Sequence, residues 1–150
     1  MSDNWKEIVA KWHSGGTFIG RNPAGADVQI GTLDGKPGIG PMEMLLLGLA
    51  GCTGMDVISI LQKQRQPVES FEVRVRGKRA DDYPMVYTEI EVEYILWGEG
   101  LSMKFVEQAI ELSEEKYCSV GIMLKKAVEK FTSSYRILEP GQSLETVAEM

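Results

Sequence analysis

Apolar and polar residues alternate most clearly in the middle of the chain. Phe71, Val73 and Val75 alternate with Glu72, Arg74 and Arg76, and Ile90, Val92, Tyr94 and Leu96 alternate with Glu89, Glu91 and Glu93. Period two with one polar face predicts two half-buried strands. The turn at residues 81–84 makes them an antiparallel hairpin, its basic and acidic polar faces pairing across the strands. Strand-like runs at 7–12 and 17–20 flank Ser14-Gly15-Gly16, and a third at 27–30 follows the turn Asn22-Pro23-Ala24-Gly25. Between these groups lies the most apolar stretch, 41–61, with apolar residues on nearly every face from Met44 to Leu49. That pattern predicts a buried central helix, capped by Gly40, opened by Pro41, and ending near 64–66 before Pro67. Later, Leu101-Ser102-Met103 opens a helix running to Tyr117, with Phe105, Ala109 and Leu112 on one stripe and Val106 and Ile110 beside it. A short helix from Cys118 to 126 or 127 and a last strand at 131–137 complete the order. Strands, long helix, strands, helices and strand make an α+β chain. We expect one domain over 1–138 and a tail over 139–150 that starts with Pro140-Gly141 and ends in a weakly amphipathic piece.

Composition narrows the function classes. The 150 residues are 43% apolar and 25% charged, an ordinary globular mix. Sixteen Lys and Arg against 22 Asp and Glu leave a net charge of −6, which argues against a nucleic-acid footprint or a polybasic membrane patch. The 41–61 stretch approaches membrane-spanning length, but Glu43 and Asp56 interrupt it. One histidine and two cysteines make a His/Cys zinc site implausible. The N-terminal residues lack the basic and apolar regions of a signal peptide, so we expect a cytoplasmic protein with reduced thiols.

The candidate chemistry lies in the two cysteines. Cys52 falls inside the apolar helix, where a free cysteine is most often a small buried hydrophobe. Gly48, Gly51 and Gly54 around it each cost the helix about 1 kcal/mol relative to alanine. Such glycines make sense where a backbone or ligand approaches closely. Cys118 stands where a helix begins, so the dipole would lower its thiol pKa; a buried, inert thiol is the other reading. Asp56, one turn beyond Cys52, is expected to pair with a basic residue such as Lys126 or Arg65. Tyr117, Trp97, Met44, Met55 and Met123 read as core or pocket-lining residues. With 65 residues (53–117) between the cysteines there is no CxxC motif, and spacing alone does not pair them.

The run Gly40-Pro41-Met42-Glu43-Met44-Leu45-Leu46-Leu47-Gly48-Leu49-Ala50-Gly51-Cys52 resembles the helix that bears the first cysteine of the OsmC/Ohr family, the osmotically inducible and organic hydroperoxide resistance proteins. Tyr117-Cys118-Ser119-Val120 resembles the segment with that family's second cysteine, and the element order matches across roughly 5–137. The resemblance implies an OsmC-like fold, with antiparallel sheets around a long buried central helix in an intertwined homodimer whose active sites lie at the subunit interface. It also implies a thiol peroxidase. Cys52 would attack an organic hydroperoxide and become a sulfenic acid, Cys118 would resolve it to a disulfide, and a dithiol or lipoyl-type reductant would restore the thiols. No bound cofactor or metal is implied, because sulfur carries the redox change. In the peroxidase branches an arginine from the N-terminal strands stabilises the thiolate and a glutamate near the helix-starting proline holds that arginine. By position these are Arg21 and Glu43, with one departure: Met42 directly follows Pro41, and Glu43 comes one residue later, about 100° further round the helix.

Two alternatives stand beside the peroxidase. That departure favours a non-catalytic OsmC-like protein binding an apolar or electrophilic small molecule at the dimer interface, its thiols unchanged by hydroperoxide. A structural protein with two core cysteines would keep both thiols inaccessible until unfolded.

Overall fold

A computed structural model describes residues 4–145; Met1–Asp3 at the N-terminus and the last five residues of the tail, 146–150, lie outside the described residues. The chain divides into two compact units, Met1–Leu45 and Leu46–Met150.

The first unit is a three-stranded antiparallel meander of β1 (Val9–Ser14), β2 (Thr17–Arg21) and β3 (Asp27–Ile30), in the order β1-β2-β3. Gly15 takes φ +51° in the β1–β2 turn, a conformation glycine adopts without steric cost. Asn22 shapes the β2–β3 turn, its side-chain oxygen accepting from the Ala26 N–H at 2.9 Å. Both turns sit where the sequence places them. Every residue of β1 is exposed, Trp12 at 62%.

Helix α1 (Pro41–Lys63) starts in the first unit and runs through the second. Pro41 is its first residue, and the Met44 N–H donates to the Gly40 carbonyl at 2.9 Å, closing the first turn. By length and composition alone α1 would suffice to cross a membrane. Here its polar residues are used inside the fold: Thr53 hydrogen-bonds Tyr94 and Ser113, and Asp56 accepts from Ser113. The helix buries one stripe, Leu49, Thr53, Val57 and Leu61, spaced four apart. The all-round burial expected from its composition is therefore not met within the chain. Leu47, Gly51 and Met55 form an exposed stripe on the opposite side.

The second unit contains β4 (Ser70–Arg79), β5 (Tyr87–Trp97), α2 (Met103–Leu112), α3 (Ser119–Ala127) and β6 (Lys130–Leu138). A five-residue π-helical turn, Ser113–Tyr117, separates α2 from α3, where the sequence predicts unbroken helix. β4 and β5 form the expected antiparallel hairpin, with Arg74 opposite Glu93, Arg76 opposite Glu91 and Lys78 opposite Glu89. Arg76 is ion-paired with Glu91. β6 lies beside β5 in parallel, so the sheet β4-β5-β6 is mixed rather than wholly antiparallel. A parallel neighbour needs a crossover, and α2, the π turn and α3 supply it.

β5 is the centre of the core: Ile90, Val92, Tyr94, Ile95 and Leu96 are all buried. From α2 come Val106, Ala109 and Ile110, while Phe105 and Leu112 are half-buried. The start of the tail is held, since the Trp97 indole N–H donates to the Gln142 carbonyl at 2.6 Å.

Gly77 on β4 marks where this packing is tightest. A Cβ there would lie 2.5 Å from the Tyr87 ring and 3.1 Å from Leu46 Cδ2. Gly77→Ala is expected to destabilise the protein by about 1–3 kcal/mol, the usual cost of overpacking, as read from a denaturant midpoint.

Candidate functional site

The second unit brings the two cysteines together. Cys52 is half-buried on α1, one position and so about 100° round from the inward-facing Thr53. Cys118 is 1% exposed and caps α3, its Sγ accepting from the Gly121 N–H at 3.3 Å. The two thiols are near enough that Cys52 helps to raise the pKa of Cys118. Both are free.

Ser113 sets the position of Cys118. Its carbonyl accepts the Cys118 N–H at 2.7 Å across the wide π turn. Its hydroxyl is fixed at the same time, donating to Asp56 Oδ2 at 2.9 Å and lying 2.8 Å from Thr53 Oγ1. Thr53 Oγ1 lies 2.8 Å from Tyr94 Oη, which donates to Glu114 Oε1 at 2.9 Å. Thr53, Tyr94 and Ser113 are buried, and burial pushes the Tyr94 phenol well above its ordinary range. Gly121 is small for a reason, since a Cβ there would stand 3.1 Å from Cys118 Sγ and 3.3 Å from Leu49 Cδ1.

Of the two readings of Cys118, an acidified cap thiol and a buried, inert one, burial dominates. It pushes the thiol from 9.0 up to about 11, with the Gly121 N–H working against it and Cys52 and Asp56 adding to it. Asp56 was expected to pair with Lys126 or Arg65, but its partner is the Ser113 hydroxyl. Of the residues expected as core or pocket lining, Met55 (73%), Met123 (72%) and Tyr117 (51%) are exposed in this chain. Gly48 and Gly51 face open space, whereas a Cβ on Gly54 would meet Val73 Cγ2 at 3.3 Å.

Arg21 and Glu43 lie in the first unit. Arg21 ends β2 in a two-bond ion pair with Asp27 on β3, Nε to Oδ1 at 2.5 Å and Nη2 to Oδ2 at 3.0 Å, and this holds its guanidinium above its ordinary pKa. It also borders a groove of about 670 Å³ lined by Val9, Trp12, His13 and Ile19. Glu43 reaches back to accept the Gly40 N–H at 2.8 Å, the reciprocal half of a capping box. Among the described residues no group of three or more His, Cys, Asp or Glu is placed to hold a metal ion.

The profile of the OsmC-like protein family matches residues 33–131, which includes both cysteines. The chain belongs to the OsmC-like family. Protein YhfA of Escherichia coli K12 is 41% identical over 128 residues, 85% of this chain and 95% of that protein. A crystal structure of a hypothetical protein from Aquifex aeolicus VF5 superposes with a TM-score of 0.80 at 35% identity, covering 91% of this chain and 98% of the other. The organic hydroperoxide resistance protein OhrB of Bacillus subtilis superposes at 0.59 and 15% identity over 88% and 98% of the two chains, a likeness of fold. The α+β architecture, two small sheets and one long helix, is that of OsmC-like structures.

Sequence reasoning on this OsmC-like chain did not find Ser113, Thr53, Tyr94 or Gly121. A signal was present for two of them: Tyr94 is the one hydroxyl in the inward row Ile90, Val92, Tyr94, Leu96, and Thr53 interrupts an apolar helix.

The raised Cys118 thiol ties stability to pH. An unfolded chain loses that proton near 9.0 and the folded one only near 11. The stabilisation is therefore complete below 9.0 and disappears as the pH rises toward 11. Thermal melts of the reduced protein should show its Tm falling through that window more steeply than the Tm of Cys118→Ser.

Proposed function

We propose that this protein is a cytoplasmic, cysteine-dependent peroxidase of organic hydroperoxides, working as a homodimer. The observation that carries the reading is the meeting of Cys52 and Cys118 across residues 53–117, with the half-buried thiol on α1 and the fully buried one beside it. The Cys52 thiolate attacks the distal oxygen of ROOH. The O–O bond breaks, the alkoxide takes up a proton and leaves as ROH, and Cys52 becomes a sulfenic acid. The Cys118 sulfur then bonds to the Cys52 sulfur, the S–O bond breaks, and water leaves. An external dithiol, of lipoyl type by family resemblance, reduces the disulfide by exchange.

Two features support an apolar substrate and a second subunit. Leu47, Gly51 and Met55 leave an apolar stripe of α1 exposed, and Gly48 and Gly51 present bare backbone there. An apolar face next to Cys52 favours alkyl hydroperoxides over hydrogen peroxide, and an exposed apolar face suits burial against a second copy. A second reading, a small-molecule binder without turnover, is favoured by Arg21: it is bound to Asp27 and borders a groove whose lining residues include no cysteine.

One equivalent of cumene hydroperoxide decides between them. The peroxidase reading expects loss of both thiols and of about 2 Da in intact mass, the signature of one disulfide, absent in Cys52→Ser. Thiols that stay free and titratable without denaturant leave the binder. For the dimer, Met55→Glu is expected to convert the protein to a monomer by light scattering, since it puts a charge into the stripe α1 exposes; a wild-type monomer would overturn that part.

A further inference from the structure

Beside the thiols, five oxygen atoms form a line: Asp56 Oδ2, Ser113 Oγ, Thr53 Oγ1, Tyr94 Oη and Glu114 Oε1. The four gaps are 2.9, 2.8, 2.8 and 2.9 Å, all hydrogen-bond distances. A hydroxyl carries one proton and an ionised carboxylate none. Three hydroxyls therefore bring three protons to four contacts. If Ser113 donates to Asp56 and Tyr94 donates to Glu114, Thr53 can serve only one of its two neighbours. The remaining gap would set two oxygen lone pairs against each other among buried side chains, where solvent cannot compensate. Four well-formed bonds need a fourth proton.

We propose that this chain holds one shared additional proton and acts as a proton relay serving Cys118. With that proton on Glu114, every bond in the line points toward Asp56; with it on Asp56, every bond points toward Glu114. Passing one proton along each of the four gaps interconverts the two arrangements without moving a heavy atom. The relay rests on the peroxidase reading and deepens it. As the Cys118 sulfur bonds to the sulfenic sulfur of Cys52, its S–H proton must leave a fully buried position. That proton passes to Asp56, Glu114 gives up its own proton to solvent, and the three hydroxyls then turn so that every bond points toward Glu114, while the hydroxide lost from Cys52 takes up a proton and departs as water. Glu114 suits the exit: it is half-buried, its other carboxylate oxygen accepts from Ser133 at 3.1 Å, and its main-chain carbonyl accepts from the Lys125 ammonium. Thr53, Tyr94 and Ser113 are positioning residues in this scheme, acting through the protons they pass.

Infrared difference spectra of the reduced protein test the shared proton without reference to any substrate. A protonated-carboxyl stretch at neutral pH is expected in the wild type, shifted in Tyr94→Phe and lost in the pair Asp56→Asn with Glu114→Gln; its absence from the wild type overturns the proposal. Stopped-flow kinetics test the relay. In Thr53→Val, disulfide formation should slow about a hundredfold, the lower range of positioned proton transfer, with Cys52 sulfenic acid, trapped by dimedone, forming at the wild-type rate. Thr53→Ser, which keeps the oxygen, should restore the disulfide rate. An unchanged rate in a folded Thr53→Val overturns the relay. If wild-type Cys52 gives no sulfenic acid, the peroxidase reading and the relay fall together, and the infrared result alone decides the shared proton.

Discussion

A buried hydroxyl without a partner costs about 1–3 kcal/mol on protein-derived scales, and this fold buries three in one place. Thr53 comes from α1, Tyr94 from the central strand β5, and Ser113 from the junction of α2 and the π turn. None has a nearby partner on its own element, so the three elements must meet where the hydroxyls can satisfy one another. That requirement sets both the depth and the rotation of α1 against β5 in a way that the interchangeable apolar contacts of Leu49, Val57 and Leu61 do not. Apolar packing tolerates a shift of register more readily than a hydrogen-bond chain does.

The thiol geometry follows from this constraint. Turning Thr53 inward leaves Cys52 at the margin of the buried stripe, open enough to meet a small reagent. Ser113 fixes Cys118 through its carbonyl, and the same residue is held through its hydroxyl, so the position of the second thiol is relayed from α1 itself. The π turn provides the link. Its wider ring carries the Cys118 N–H back to Ser113 rather than to Glu114, and it brings Glu114 against Tyr94. Two thiols far apart in sequence thus share one support. Burial then acts on Cys118, which keeps its proton at pH values where an exposed thiol has lost it.

What the sequence shows clearly is whatever depends on neighbours within a turn or a strand. The alternation in β4 and β5, the Asn22 turn, and the Gly40-Pro41 start of α1 are local, and the structure places each within a residue or two of where the pattern puts it. The cysteine-bearing motifs were also legible, because a family resemblance rests on short runs. Asp56 shows what local reasoning misses. Its partner Ser113 is 57 positions away and carries no charge, so a search for a basic neighbour led elsewhere. The π turn was hidden because Ser113–Tyr117 continues the helical composition of α2. Cys118 stayed open between two readings for a third reason: its cap position is readable, but its burial depends on Leu49 and Gly121 closing over it. The parallel placement of β6 depends on a crossover whose path no single segment encodes.

That placement matters while the chain is being made. β5 sits between β4 and β6, and β6 is the last strand among the described residues, so during synthesis β5 waits with one edge unpaired until residue 138 has emerged. An open edge in a nascent chain is a template for pairing with a neighbouring copy. Here the waiting strand carries Glu89 and Glu93, whose ion-pair partners, Lys130 at 3.5 Å and Arg136 at 2.9 Å, arrive only with β6. Two such edges from adjacent ribosomes would set like charges against each other, whereas the chain's own last strand brings the cations that neutralise them. The salt bridges of the finished sheet thus favour, by charge as well as by backbone pairing, the chain's own strand over a second copy of β5.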